Sequence, residues 1–305
     1  MARSKTWIVV SALSSIFWLL ASVGEAAIKS VTCPLQALQA RLRTLKPGDT
    51  LLVNGICNEN VIITEDLQHI ILNGQGVATV GGPDAGAPTI TVRGRGITIR
   101  GFFSITGGQD AIRIERGGTA TIADNTIQNS GRNGILVIEN ASARIVNNMI
   151  QNNPAHGISV SRSSSVHVGF LTIDTPAGPN TIQTNGGVGV FVGNSSSAHI
   201  VSNVIQGNTV DGIRVQQLSH AQISGNTIDN NGESGVVVLE YSGVNLGSSP
   251  SPFFDVPNDT TPGSENGDFG VHCRTGGYAK GDQGTLTGDS GDKDIAATCI
   301  DGIVP

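Results

Sequence analysis

Residues 110–132 read DAIRIERGGTATIADNTIQNSGR, and residues 133–155 read NGILVIENASARIVNNMIQNNPA. Set one above the other, they place Ile112 over Ile135, Ile122 over Ile145, Asn125 over Asn148 and Ile127 over Ile150. HGISVSRSSSVHV (156–168) opens a third unit, an insertion GFLTIDTPA (169–177) stretches it, and GPNTIQTNGG (178–187) closes it. VGVFVGNSSSAHIVSNVIQGNTV (188–210) and DGIRVQQLSHAQISGNTIDNNGE (211–233) restore the spacing, and SGVVVLEYSGVNLG (234–247) begins another unit. The period is 23 residues, stretched once to 32. A fixed period of this size marks stacked units, none of which can bury its apolar face alone.

Within each unit the apolar residues alternate with a period of two, which marks strands. The first strand points Ile112/Ile114, Ile135/Val137, Ile158/Val160, Val190/Val192, Ile213/Val215 and Val236/Val238 inward. A second strand points Ile122, Ile145, Val168, Ile200, Ile223 and Leu246 inward, and a third Ile127, Ile150, Ile182, Ile205 and Ile228. Coils stacked about 4.8 Å apart bury these columns and pair the backbone, so the chain is expected to be an all-β parallel solenoid with three short strands per coil. Asn125, Asn148, Asn180, Asn203 and Asn226 recur at one turn and are read as a structural ladder of side-chain amides. The column Ala111, Gly134, Gly157, Gly189, Gly212 and Gly235 marks a corner with room neither for bulk nor for an ordinary φ.

Outward from the repeats the signals change. Residues 50–109 keep strand character with looser spacing and read as the opening coils. Leu35, Leu38, Leu42 and Leu45 stand at helical spacing after Pro34, which predicts a short amphipathic helix over the N-terminal end. Arg3 and Lys5, then an apolar stretch from Trp7 to Ala21, then Gly24-Glu25-Ala26, read as an export signal cleaved near Ala26, with no membrane span afterwards. The expected organisation is signal peptide 1–26, N-terminal cap 27–48, parallel β-helix 49–247 and C-terminal cap 248–305. Cys33 and Cys57 lie near one end and Cys273 and Cys299 near the other. Three pairings are open; proximity favours Cys33–Cys57 with Cys273–Cys299, in a secreted, periplasmic or cell-surface protein. The net charge is −6 with no basic run, which argues against a nucleic-acid partner.

The run GDTLLVNGICNENVIIT (48–64), then GITIRGFFSITGG (96–108), then the repeated xGIxVxxxxxAxIxxNxIxxN units resembles the right-handed parallel β-helix repeat proteins of the pectate-lyase-like superfamily. The resemblance implies right-handedness, which the repeat itself does not determine. It spans polysaccharide lyases, hydrolases, epimerases, adhesins, phage tail proteins and periplasmic accessory proteins, so it implies little about activity.

Chemistry is sparsely represented. Uronate lyases and epimerases need a base, a proton donor and a group that neutralises the carboxylate; hydrolases need paired carboxylates. Residues 110–245 hold nine carboxylates scattered over several columns, and no lysine lies between Lys46 and Lys280. The Asn-Thr-Asp, Gly-His-Gly, Arg-Ile-Lys and Asp-Pro-His-Asp patterns of known enzymes on this fold are missing. The best cluster is Arg144, His167 and His199, one column of the second strand's outward face, with Asp174 and Phe170 of the insertion beside it. Imidazole serves as acid or base near neutrality, and a guanidinium holds a carboxylate. The plainer alternative is a solvated polar face. Two histidines without a third ligand make no metal site; no cofactor is expected, and Ca²⁺ only if the chain is a lyase.

Leu136, Ile138, Phe191, Val237 and Leu239 point outward from the first strand, and the C-terminal segment is expected to cover them. Three readings stay open. The leading one is an exported β-helix that binds polysaccharide or another surface partner without catalysis. The others are a polysaccharide lyase or uronate C5-epimerase with an atypical site, and a structural or adhesive protein acting by self-association. Whether the chain is an enzyme, and its oligomeric state, stay undecided at this point.

Overall fold

The computed structural model describes residues 26–170, 178–247 and 256–304. The expected signal peptide, apart from Ala26, and Asp174 lie outside the described residues. The chain winds as a right-handed parallel β-helix whose coils supply three sheets of 12, 10 and 8 strands. The longest sheet runs from Ile28–Thr32 to Ile300–Val304 and collects the second strand of every repeat. The ten-stranded sheet collects the first strands, from Val61–Ile63 to Gly291–Ile295. The eight-stranded sheet collects the third, from Ile56–Asn58 to Thr227–Asp229.

Register follows the repeat: Ile112 pairs Ile135, Ile122 pairs Ile145 and Ile127 pairs Ile150. All the inward columns named from the sequence are fully buried, because a parallel ladder leaves like residues stacked in one apolar tube. At the corner glycines the constraint is bulk alone. A Cβ on Gly134 would meet the Gly157 carbonyl oxygen at 2.7 Å and Ile150 Cγ2 at 2.8 Å, yet its φ is not positive.

The expected asparagine ladder is continuous. Asn125 Nδ2 donates to Asn148 Oδ1, Asn148 to Asn180, Asn180 to Asn203, and Asn203 to Asn226, each at 2.9–3.0 Å. The same amides also donate to inner carbonyls such as Ile122 and Val168. A second ladder, Asn153, Asn185, Asn208, Asn231 and Asn266, runs beside it in the same way. Buried turn amides that would otherwise be orphaned are thus satisfied from the next coil.

Both ends differ from expectation in detail. The N-terminal helix is only Leu38–Leu42; Leu38, Leu42 and Leu45 are buried, but Leu35 is 88% exposed because it precedes the helix. Glu59 from the following coil accepts from the Leu38 and Gln39 amides at 2.6 and 3.0 Å, satisfying the open helix end. At the other end the ladder does not stop at 247. Phe269–Cys273 pairs with Val236–Val238 in parallel, Tyr278–Asp282 pairs with Gly243–Leu246, and Gly291–Ile295 and Ile300–Val304 follow. The described part of the segment expected to cap the solenoid therefore adds strands to the stack instead of folding back over it. The Cys33–Cys57 and Cys273–Cys299 sulfurs are bonded, one pair near each end.

Candidate functional site

Alternation along the long sheet sends two columns outward. One is Thr119, Ser142, Ser165, Ser197, His220, Gly243 and Tyr278; the other is Thr98, Thr121, Arg144, His167, His199, Gln222, Asn245 and Lys280. Small residues in the first column and larger ones in the second leave a groove of about 220 Å³ over Gly96, Thr119, Ser142 and Ser165, walled by Arg144 and His167. Neither column contains a carboxylate.

The three described members of the expected cluster stand on successive coils, since Arg144 pairs His167 and His167 pairs His199. The His167 ring stacks on Phe170 at 4.8 Å and on His199 at 5.1 Å, in planes 13° and 19° apart. Its Nδ1 is buried with no hydrogen-bond partner among the described residues. Burial first, then the His199 and Arg144 charges, lower the His167 pKa; burial and His220 lower that of His199. Both imidazoles are thereby biased to the neutral, proton-accepting form. The groove thus offers a guanidinium, hydroxyls and the neutral His167 imidazole, with His199 stacked behind it on the next coil.

Two further members of this face lie outside the expected cluster. His220 and Tyr278 share a 3.0 Å hydrogen bond between Nδ1 and the phenol oxygen. His220 occupies the offset of Ser142 and Ser197, so the repeat signals it, whereas the register of Tyr278 is hidden behind the irregular stretch after Leu246.

The ten-stranded sheet carries other chemistry. The apolar outward column is largely covered: Leu136, Ile138 and Val237 are buried, and Phe191 stacks on His156 at 4.9 Å and 10°. This apolar column is therefore not a bare surface. Arg214 contacts Asp211 at 2.5 Å and Glu233 at 3.2 Å, and burial raises the Asp211 pKa to about 6 despite Arg214. His156 accepts from the Val188 amide at 3.1 Å, and burial, then Arg214 and Arg132, push its pKa down to about 4. Its stabilising contribution is full above pH 6.5 and is lost as pH falls towards 4, about 3 kcal/mol in all. Asp211 acts in the opposite sense, its proton held more tightly in the fold up to about pH 6. Urea unfolding at pH 7.5 and pH 4 is expected to show a smaller loss on acidification in His156→Gln than in the native chain. An equal loss would place the acid sensitivity elsewhere.

The comparisons with known proteins agree on fold. A family model described as right handed beta helix region matches residues 177–249, and one described as periplasmic copper-binding protein (NosD) matches residues 48–178. No curated protein matches the sequence. An alginate lyase from Paenibacillus sp. str. FPU-7 superposes with a TM-score of 0.58 at 16% identity, over 91% of this chain and 99% of that one. Tailspike protein 2 from Escherichia coli O157:H7 bacteriophage CAB120 gives 0.58 at 13% identity, over 91% of this chain and 42% of that one. A double mutant of the periplasmic alginate epimerase AlgG gives 0.50 at 12% identity, over 92% of this chain and 77% of that one. At these identities the likeness is one of fold.

Proposed function

We propose that this chain, a right-handed β-helix of the pectate-lyase-like kind, is an exported protein that binds an acidic polysaccharide along the outward face of its long sheet. The observation that carries the reading is the composition of that face: Arg144, His167, His199, His220 and Lys280 among hydroxyls and amides, with no carboxylate in either column. Charge along the chain agrees. Residues 93–162 hold eight arginines against four carboxylates, whereas residues 211–305 hold four cations against 13. A polyanion is thus steered to the coils that form the groove, although the net charge is negative. The alginate-active proteins on the same fold support the substrate class, and the two disulfides support an oxidising compartment.

Copper fits poorly. A donor lone pair lies in the plane of its imidazole ring, and the His167 and His199 planes run nearly parallel with centroids 5.1 Å apart. They do not converge on one ion. Both thiol pairs are consumed in disulfides, and among the described residues no three of His, Cys, Asp and Glu form a ligand group.

A second reading, proton abstraction from a bound uronate by a lyase or epimerase, is favoured by one observation: the neutral His167 imidazole, whose Nδ1 has no hydrogen-bond partner among the described residues, stands one coil from Arg144. Binding itself is tested by titrating the oxidised protein with acidic and neutral polysaccharides at low and high salt. Binding of acidic polymers alone, weakened by salt, is expected. Equal binding of neutral glucans, or no binding to either, would overturn the reading.

A further inference from the structure

We propose that Tyr278, His220 and Lys280 form a second, separate sugar subsite at the C-terminal end of the same face, so that one acidic glycan chain lies along the solenoid axis and touches both. The inference rests on the polysaccharide reading above and adds where the chain goes. His220, Gly243 and Tyr278 follow one another on successive coils. A Cβ on Gly243 would fall 2.0 Å from Tyr278 Cζ, so the tyrosine ring lies across the glycine and reaches over a whole coil to His220. Lys280 stands two residues further along the same strand, exposed, in the column of Arg144. Between Lys280 and Gln222 lies Asn245, whose Oδ1 is buried with no hydrogen-bond partner among the described residues.

A phenol, an imidazole and one ammonium offer what a sugar residue bearing hydroxyls and one carboxylate needs. The column runs Arg144, His167, His199, Gln222, Asn245, Lys280, which is five coil steps. That is on the order of 24 Å between the two cations, too long for one sugar and within reach of a chain of several. Occupying both ends of one chain raises affinity with length, because the second contact is made within an already bound molecule.

The test is calorimetric titration of the full chain with short and long oligouronates, comparing the native protein with a Tyr278→Phe, Lys280→Ala double variant whose folding is checked by thermal unfolding. Gly243→Ala, which displaces the ring without changing the chemistry, serves as an independent variant. In the native chain the long ligand is expected to bind about tenfold more tightly than the short one. Both variants should lose that gain and keep the affinity for the short ligand. A length gain that survives in the variants overturns the second subsite while the acidic-polysaccharide reading stands. Absence of binding at any length overturns both.

Discussion

Asn203→Ala is expected to cost the fold about 3 to 5 kcal/mol, as much as any single substitution in the asparagine ladder. The Asn203 backbone amide and Nδ2 both donate to Asn226 Oδ1, and Nδ2 also donates to the Val168 and Val201 carbonyls. Its Oδ1 accepts from the Asn180 backbone amide at 3.2 Å and from Asn180 Nδ2 at 2.9 Å. Alanine leaves the partners above and below orphaned where no water reaches them, and each buried orphan costs about 1 to 3 kcal/mol. Asn203→Asp separates the contributions. The carboxylate keeps an acceptor for Asn180, loses both donors, and sets a buried charge against two carbonyls.

Such an acid has its folded pKa raised, so its stability is highest at low pH and falls as pH rises through the folded value. Urea unfolding at pH 7.5 is therefore expected to rank native above alanine above aspartate. At pH 4 the aspartate variant should recover towards or beyond the alanine variant. A cost below about 1 kcal/mol for Asn203→Ala would mean that the amide ladder follows from the stack without stabilising it.

That ladder also explains what was legible in the sequence. Ile122, Ile145, Ile200 and Ile223 could be aligned because each coil holds them at one offset, and apolar columns have only one way to be buried. Arg144, His167 and His199 were visible by the same arithmetic. Beyond Leu246 the offsets fail, and the following segment reads as something other than coil. The structure carries register across the interruption through side-chain amides: Asn226 passes to Asn258 and Asn231 to Asn266. Asn258 follows Asn226 by the same 32 residues that separate Asn148 from Asn180. Strand periodicity weighs apolar positions and is blind to that continuation, so Tyr278 could not be placed on the face of His220. Leu35 failed for a local reason, since a helix confined to Leu38–Leu42 leaves it one turn short of the core.

Arg144→Ala is expected to weaken acidic-polysaccharide binding ten- to hundredfold, the largest functional effect on the face. A charge-assisted hydrogen bond to a carboxylate is worth about 1.5 to 3 kcal/mol, and 1.4 kcal/mol is a factor of about ten. Arg144→Lys should retain part of the affinity, because an ammonium supplies the charge without the two-pronged geometry. Arg274→Ala removes an equal charge from a site paired with Asp294 on the ten-stranded sheet, away from the groove. It should change affinity by less than about twofold, since screened charges at that distance contribute little. Equal losses in Arg144→Ala and Arg274→Ala would show that general attraction, and not the groove, holds the polymer.

His167→Ala then divides the binder from the enzyme. If His167 only lines the groove, the variant loses modest affinity and the native protein generates no unsaturated product from uronate polymers. If its neutral imidazole takes a proton from a uronate held by Arg144, the native protein raises the ultraviolet absorbance of unsaturated ends, or exchanges the sugar C5 hydrogen with solvent. His167→Ala abolishes either signal while binding persists. Chemistry that survives without His167 would remove it from the reaction and leave it as part of the groove wall.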